Sequence, residues 1–209
     1  MTRATLDFYY EFASPYSYLA ASRLGPLAEA AGVHVEWRPF LLGPIFAAQG
    51  YSSSPFNVYP LKGAHMWRDL ARLADRYGLP PVTRPEPFPV NGLLGARVAT
   101  RLNDASRPAF SRALFRAAFA EGRDISDRTV VRQVLAGLGH FCDEVIDQAE
   151  TQANKDKLRA TVEEAQALGI FGAPTCVTAD KELFWGNDRL EMALEHAVQI
   201  AHAPQAAAQ

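Results

Sequence analysis

Cysteine is scarce in this sequence, with only Cys142 and Cys176 among 209 residues. The two lie far apart in the chain, with no histidine at metal-ligand spacing, so neither a disulfide framework nor a zinc site is indicated. No apolar run approaches the ~20 residues of a membrane-spanning helix, and no apolar signal segment follows Met1. We therefore expect two free thiols, no metal ion and a cytoplasmic protein.

The sequence also lacks an excess of charge of either sign. Its 21 Lys and Arg residues nearly balance 23 Asp and Glu residues, which gives a net charge of −2 at pH 7. Nucleic acids and acidic membranes are bound through basic surfaces, so we expect neither as a partner. Hydrophobic residues make up 48% of the chain, as in packed globular proteins, and we expect Trp37, Trp67 and Trp185 in the core.

What is present near the start is a strand that leads into a capped helix. Residues 7–12 are rich in strand formers, and apolar residues recur at helical spacing from Leu19 onward. Ser14 is the predicted N-cap and Pro15 the first helical residue. A helix start presents free N–H groups and stabilises an anion. The Ser14-x-x-Ser17 spacing replaces a redox Cys-x-x-Cys pair, so a hydroxyl here can donate to the thiolate of another molecule.

The elements that follow predict a helical insertion between two groups of strands. Residues 33–38 alternate as a second strand, which completes a βαβ unit. Glycine, proline and serine between residues 42 and 60 predict a loop. Helical periodicity then continues to residue 168, with Ser126 as one of the N-caps.

The last part of the chain returns to strands. Residues 176–178 and 183–185 predict an antiparallel hairpin. Asn187 or Asp188 is expected to cap the closing helix, with Glu191 in a capping box, and the Ala- and Gln-rich tail after His202 is expected to fray. The order βαβ, helices, αββα predicts an α/β, thioredoxin-like fold with an inserted all-helical domain. The predicted thioredoxin-like domain comprises residues 1–42 and 169–209 with the preceding helix 155–168, and the inserted helical domain comprises residues 43–154.

Four motifs stand in a characteristic order and spacing. They are Ser-Pro-Tyr-Ser-Tyr-Leu-Ala at 14–20, Lys62 with Met-Trp-Arg-Asp-Leu at 66–70, Phe-Gly-Ala-Pro-Thr at 171–175, and Phe-Trp-Gly-Asn-Asp-Arg-Leu at 184–190. Together they resemble the 2-hydroxychromene-2-carboxylate isomerase family over essentially the whole chain. That family stands beside the kappa-class glutathione transferases in the DsbA-like branch of the thioredoxin superfamily.

The resemblance implies that glutathione is the cofactor and that Ser14 is the catalytic serine, which holds the glutathione sulfur as a thiolate. It also implies that the Ala173–Pro174 bond is the cis-proline bond of the fold, with the backbone of Ala173 pairing with the cysteinyl part of glutathione. One departure lies at residues 50–55. Relatives often have Gly-Asn-x-Pro-Pro there, whereas this chain has Gly-Tyr-Ser-Ser-Ser-Pro, so the asparagine that would contact glutathione is absent.

The remaining site residues implied by the resemblance come from two other parts of the chain. Asn187 and Asp188 match positions that bind the γ-glutamyl end of glutathione, and Arg189 matches an adjacent site residue. Lys62 and Asp69 match positions on the helical side that help to close the pocket. From periodicity alone, Lys62 and Asp69 fall at one edge of an apolar helical stripe, where charges are more often simply solvated.

The implied function is a glutathione-dependent isomerase that interconverts 2-hydroxychromene-2-carboxylate and trans-o-hydroxybenzylidenepyruvate-type aromatic acids. A small aromatic carboxylate is then the substrate, and a homodimer is expected. The alternative is a kappa-class-like glutathione transferase or peroxidase, and a non-catalytic glutathione- or peptide-binding module is a third possibility. A serine hydrolase is not favoured, because no Gly-x-Ser-x-Gly elbow or identifiable histidine partner accompanies Ser14.

Overall fold

A computed structural model describes residues 3–51 and 53–203 of the chain. In these residues a single sheet of four strands has the order β2-β1-β3-β4. Its strands are β1 (Thr5–Tyr10), β2 (His34–Pro39), β3 (Thr175–Thr178) and β4 (Leu183–Trp185). β1 and β2 are parallel, whereas β1 pairs with β3, and β3 with β4, in antiparallel register. The βαβ unit and the hairpin predicted from the sequence are thereby confirmed.

Helices account for most of the remaining chain. Those in the described residues are α1 (Pro15–Ala31), α2 (Leu42–Ala48), α3 (Pro55–Val58), α4 (Pro60–Arg76), α5 (Leu93–Arg101), α6 (Arg107–Phe119), α7 (Arg128–Gly137), α8 (Cys142–Ala149), α9 (Gln152–Ala167) and α10 (Leu190–His202). A 3₁₀ turn, Asn187–Arg189, precedes α10. The fold is therefore the predicted thioredoxin-like one with a helical insertion. The predicted domain boundaries remain a prediction, and the tail from residue 204 lies outside the described residues.

The sheet separates two apolar cores, because successive strand residues point to opposite faces. Phe8 and Tyr10 of β1 face the larger core, which also contains side chains of α1, α10 and the helices of the insertion. Tyr9 and Val177 face the smaller core, which α2 and α9 complete. The insertion therefore shares the larger core with one face of the sheet.

The stretch between residues 42 and 60 is not the predicted loop, because it contains α2 and α3. Leu42 and Ile45 are buried one helical turn apart, so α2 is held by its apolar face. Pro44 lies in the first turn, where proline is tolerated. Pro55 begins α3, with the Ser54 side chain accepting a hydrogen bond from the backbone N–H of Phe56. Here proline and serine mark helix starts.

Two predicted helix caps are also corrected. Asp127, not Ser126, is the N-cap of α7, and its carboxylate accepts from Thr129 N at 2.7 Å. Ser126 instead donates both its N–H and its hydroxyl to Asp124. At the closing helix, no side chain caps the start of α10, because Asn187 and Asp188 lie in the preceding 3₁₀ turn.

Both cysteines lie within the described ranges of the chain. Cys142 is partly buried at the start of α8, Cys176 is buried in β3, and both are free. None of the described helices combines the length and the apolar character needed to cross a bilayer. No three His, Cys, Asp or Glu side chains in the same residues lie close enough together to hold a metal ion.

Candidate active site

A cleft of about 950 Å³ opens where β1 ends and α1 begins. The floor of the cleft comes from the β1–α1 connection, and its walls come from α2 to α4, residues 171–174 and residues 185–189. It contains all eight site residues named from the sequence: Ser14, Lys62, Asp69, Ala173, Pro174, Asn187, Asp188 and Arg189. Side chains that are up to 175 positions apart in the chain, Ser14 and Arg189, thus line one cavity.

Ser14 is the N-cap of α1, as predicted, and it is buried on the floor of the cleft. Its Oγ accepts a hydrogen bond from Ser17 N at 3.1 Å and donates one to the carbonyl of Ala173 at 2.9 Å. Ser17 itself is fully buried and does not line the cleft. The first turn of α1 is therefore joined directly to the segment that leads into β3.

The Ala173–Pro174 peptide bond is cis, as the resemblance implies. The carbonyl of Pro174 accepts from Gly186 N at 2.9 Å, and the Thr175 hydroxyl donates to the carbonyl of Gly172 at 2.9 Å. These bonds hold residues 172–174 beside Ser14. The backbone of Ala173 consequently faces the cleft in a fixed position.

Asp69 and Lys62 face the cleft from α4. The hydroxyl of Tyr16 donates to Asp69 Oδ2 at 2.9 Å, and burial, followed by this contact with Asp69, raises the pKa of Tyr16. Tyr16 therefore remains a neutral donor at physiological pH, although sequence reasoning gave it no role. Lys62 Nζ lies 5.6 Å from the ring centroid of Phe56, and no carboxylate in the described residues forms a salt bridge with it.

Asn187 is buried, and its side-chain amide forms hydrogen bonds with other side chains of the protein. Arg23 Nη1 donates to both the carbonyl and the side-chain oxygen of Asn187, each at 3.1 Å. Asn187 Nδ2 donates to the Tyr77 hydroxyl at 3.1 Å, and the Arg23 guanidinium lies 4.0 Å from the centroid of the Tyr77 ring. Arg23 also pairs with Glu191, which forms no capping box because α10 begins at Leu190 with Arg189 as its N-cap. The amide of Asn187 thus stabilises the 3₁₀ turn.

Asp188 and Arg189 are exposed at the rim of the cleft, where Arg189 Nη1 lies 2.9 Å from Asp188 Oδ2. Gly186, which precedes the turn, has φ +117°, a backbone conformation that favours glycine. A Cβ at Gly186 would also lie 2.5 Å from Asp188 Oδ1. Glycine at this position allows the carboxylate to approach the backbone closely.

Trp185 belongs to the cleft and not to the core, which corrects one sequence expectation. Its side chain is 52% exposed, and its ring centroid lies 5.0 Å from that of Phe171, which is also exposed. Trp37 is buried as expected, and Trp67 is partly buried against Phe88. A signal was available, since Trp185 is the last residue of its strand and glycine follows it.

Glu11 is the other site residue that sequence reasoning missed. It lines the cleft but is only 9% exposed, and its Oε2 accepts from Leu42 N at 2.8 Å. Burial raises the pKa of Glu11 to about 7, although the hydrogen bond from Leu42 N opposes the shift. The signal in the sequence was an acidic residue within an otherwise apolar and aromatic run just before Ser14.

The helical side of the cleft is rich in aromatic side chains. Phe46, Tyr51, Phe56, Tyr59 and Phe88 line it. The segment that departs from the family pattern contributes directly, because Tyr51 packs against Phe46 with ring centroids 6.1 Å apart. Ser53, Ser54 and Pro55 also line this wall, and Ser52 lies outside the described residues. Apolar rings therefore occupy this wall of the cleft.

Comparison with known proteins identifies the family. Residues 5–199 match the model of the DSBA-like thioredoxin domain. A 2-hydroxychromene-2-carboxylate isomerase of Sphingobium xenophagum is 34% identical over 90% of this chain and 94% of its own. The solved structure of a 2-hydroxychromene-2-carboxylate isomerase superposes with a TM-score of 0.84 at 28% identity, covering 94% of this chain and 95% of the other. Human glutathione S-transferase kappa 1 is 25% identical over 90% of this chain and 88% of its own. The chain therefore belongs to the 2-hydroxychromene-2-carboxylate isomerase family, an enzyme family within the DSBA-like thioredoxin domains.

Proposed function

We propose that this protein is a glutathione-dependent isomerase that interconverts 2-hydroxychromene-2-carboxylate and trans-o-hydroxybenzylidenepyruvate-type aromatic acids. The observation that carries the proposal is the position of Ser14. Its hydroxyl lies at the N-terminus of α1, on the floor of a cleft that the other seven predicted site residues also line. The names of the relatives support the reaction class.

The side chains of the cleft match the chemical groups of glutathione. Glutathione carries carboxylates, an ammonium group and a thiol. The cleft offers the cations Lys62 and Arg189, the carboxylates Asp69 and Asp188, and the Ser14 hydroxyl. Each charged end of the cofactor would thus find a group of opposite charge within one cavity. When bound, glutathione supplies a sulfur nucleophile that can add reversibly to an unsaturated carbon of the substrate.

Ser14 can account for ionisation of the thiol. A free thiol has a pKa of about 8.5, and lowering it by two units requires roughly 2.7 kcal/mol. A hydrogen bond to a charged group contributes roughly 1.5–3 kcal/mol, and a helix N-terminus roughly 0.3–2 kcal/mol. The Ser14 hydroxyl needs only to rotate away from the Ala173 carbonyl, while the bond from Ser17 N keeps its oxygen in place.

The aromatic side chains of the cleft suit a planar aromatic acid. Phe171 and Trp185 form an exposed pair on the thioredoxin side, and Phe46, Tyr51 and Phe56 face the cleft from the helical side. Rings in these positions can pack on both faces of a bicyclic substrate. The insertion and the sheet domain would thus each supply one wall of the substrate pocket.

The test is a glutathione titration followed by the ultraviolet absorbance of the thiolate across pH, with wild type and Ser14→Ala. We expect wild type to ionise bound glutathione at least about one pH unit below the pKa of the free thiol, and Ser14→Ala to lose that shift. Ser22→Ala is the matched control, because Ser22 is also on α1 but its hydroxyl bonds to the Tyr18 carbonyl. Unchanged ionisation in Ser14→Ala would contradict the role of Ser14.

A kappa-class-like glutathione transferase or peroxidase is the second candidate. The similarity to human glutathione S-transferase kappa 1 favours it, and the same thiolate site would serve both chemistries. Glutathione stoichiometry separates the two candidates. An isomerase leaves the glutathione concentration unchanged after many turnovers, whereas a transferase consumes it and a peroxidase oxidises it.

The homodimer and the cytoplasmic location remain predictions. The homodimer follows from the resemblance. Light scattering coupled to size-exclusion chromatography would measure the molar mass against the 22.9 kDa of one chain, and cell fractionation would test the location.

A further inference from the structure

Glu11 is a buried carboxyl group in the cleft that the roles given above do not use. Its exposed fraction is only 9%, and it lines the cleft together with Ser14. In the described part of the chain, Leu42 N is the one donor to its carboxylate, and the bond is to Oε2. Among the described residues, the polar side-chain atoms that are both inaccessible and without a partner are Tyr9 Oη and Ser17 Oγ, so the unpartnered Oε1 of Glu11 keeps access to the cleft. The backbone joins the two site residues, since Ser14 N donates to the Glu11 carbonyl at 3.0 Å.

A purely structural role does not require a carboxyl group at this position. The hydrogen bond from Leu42 N satisfies the first N–H of α2, which has no other side-chain cap. A glutamine oxygen would accept the same bond without the cost of burying an ionisable group. The glutamate adds only the capacity to bind and release a proton.

The surroundings of Glu11 allow it to exchange a proton near neutral pH. Burial raises its pKa to about 7, and no neighbouring charge contributes to the shift. α2, which contacts it through Leu42, carries no titratable side chain. The other charged and titratable groups that line the same cleft come from four segments. They are Tyr16 on α1, Tyr51 and Tyr59 on either side of α3, Lys62, His65 and Asp69 on α4, and Asp188 and Arg189 in the 3₁₀ turn.

We propose that Glu11 is the proton acceptor for the thiol of bound glutathione. The S–H bond breaks, the proton forms an O–H bond on the Glu11 carboxylate, and the sulfur keeps the electron pair as a thiolate held by Ser14. This inference rests on the proposed function. The transfer leaves the net charge of the cleft unchanged, because one negative charge moves from a buried carboxylate to the sulfur at the start of α1, where an anion is stabilised.

The test is to count the protons released when glutathione binds at about pH 8, by calorimetry in buffers of different ionisation enthalpy, while the thiolate absorbance is recorded. We expect wild type to form the thiolate with almost no net release, because the negative sulfur beside Glu11 raises the pKa of its carboxyl further, above the pH of the measurement, so that the accepted proton stays bound. Glu11→Gln is expected to release about one proton for each thiolate formed, because no carboxylate remains to take it. Glu29→Gln, an exposed glutamate on α1, is the matched control and should behave like wild type.

The outcomes separate this inference from the proposed function. If wild type forms no thiolate, the proposed function fails and the inference fails with it. If wild type forms the thiolate but releases about one proton, only the inference is overturned. His65→Gln provides a second check that does not depend on the folding of Glu11→Gln. If that variant alone restores proton release, then His65, and not Glu11, is the acceptor.

Discussion

At the scale of single residues, the observed capping role of the Ser14 hydroxyl and its proposed role towards a thiolate would draw on different parts of the group. A hydroxyl has one hydrogen to donate and two lone pairs to accept with. Ser17 N occupies a lone pair, and the Ala173 carbonyl takes the hydrogen. The helix cap therefore persists when the hydrogen is redirected to a thiolate. This arrangement lets one side chain stabilise α1 and serve the site at the same time.

Ser14→Ala should consequently lower both stability and thiolate formation. We expect the free energy of unfolding to fall by roughly 0.5–2 kcal/mol, the usual cost of losing an N-cap side chain. Thr151→Ala is the matched control, because the Thr151 hydroxyl caps α9 by accepting from Asn154 N at 3.4 Å, away from the cleft. Urea denaturation should show similar losses in both variants, and only Ser14→Ala should lose the thiolate absorbance. A loss of thiolate in Thr151→Ala as well would indicate a general effect of stability.

The sequence predicted the members of the site better than their individual contacts. The family resemblance carried by four motifs was sufficient to name eight residues that the fold brings to one cleft. The sequence could not show that Arg23 and Tyr77 form hydrogen bonds with the amide of Asn187, because those contacts depend on how distant helices pack. Glu11 was missed for a related reason, since the burial that alters its pKa depends on α2, in a stretch predicted to be a loop.

At the scale of secondary-structure elements, the site is assembled from their ends. The start of α1, the segment before β3 and the turn after β4 supply the thioredoxin side, and α2 to α4 supply the helical side. Arg23 joins three of these elements, since it lies on α1, bonds to the turn at Asn187 and stacks on Tyr77 at the end of α4. The Arg23 guanidinium therefore helps to hold the end of α4 against the turn, together with the direct hydrogen bond between Asn187 and Tyr77.

Arg23→Lys should weaken glutathione binding without removing the chemistry. An ammonium group cannot reproduce the two hydrogen bonds to Asn187 together with the stacking on Tyr77, because it lacks the planar fork of a guanidinium. We expect the KM for glutathione to rise roughly tenfold, which is about 1.4 kcal/mol of binding, with kcat nearly unchanged. Steady-state kinetics with varied glutathione measures both.

Arg128→Lys is the control for this substitution. Arg128 also forms two contacts, with Asp147 and Glu150, but on the exposed surface of α7 and α8. It should leave the KM unchanged. Equal effects of the two substitutions, or a fall in kcat alone for Arg23→Lys, would contradict a positioning role for Arg23.

The element order could be predicted from the sequence. The errors lie where proline and serine, which are common in loops, stand at the start of a helix instead. Proline and serine end helices in some places and begin them in others. Pro44 lies in the first turn of α2, and Pro55 begins α3. The apolar residues Leu42 and Ile45 hold α2 in place by burying one of its faces. Periodicity over so short a helix is weak, so only tertiary packing distinguishes it from a loop.

At the scale of the whole molecule, the buried glutamate links the site to overall stability. In the folded protein the pKa of Glu11 is about 7, whereas its ordinary value is 4.5. Between these pH values the folded state holds a proton that the unfolded state has released. Linkage then requires the free energy of unfolding to fall as pH rises through this window. Ionisation of the buried carboxyl thus lowers the free energy of unfolding. The same raised pKa makes the Glu11 carboxylate able to accept a proton near neutral pH.

Glu11→Gln should therefore be less sensitive to pH than wild type. A shift of this size corresponds to roughly 3 kcal/mol, so the stability of wild type relative to Glu11→Gln should fall by up to that amount between about pH 4.5 and 7 and change little above it. Urea denaturation of both proteins across this range measures the difference, from which the contributions of all other groups cancel. Exposed Glu29→Gln should follow wild type throughout. A difference in free energy of unfolding between wild type and Glu11→Gln that stays constant with pH would mean that the Glu11 carboxyl has the same pKa in the folded and unfolded chains. That result would remove the basis for proton exchange at this site near neutral pH.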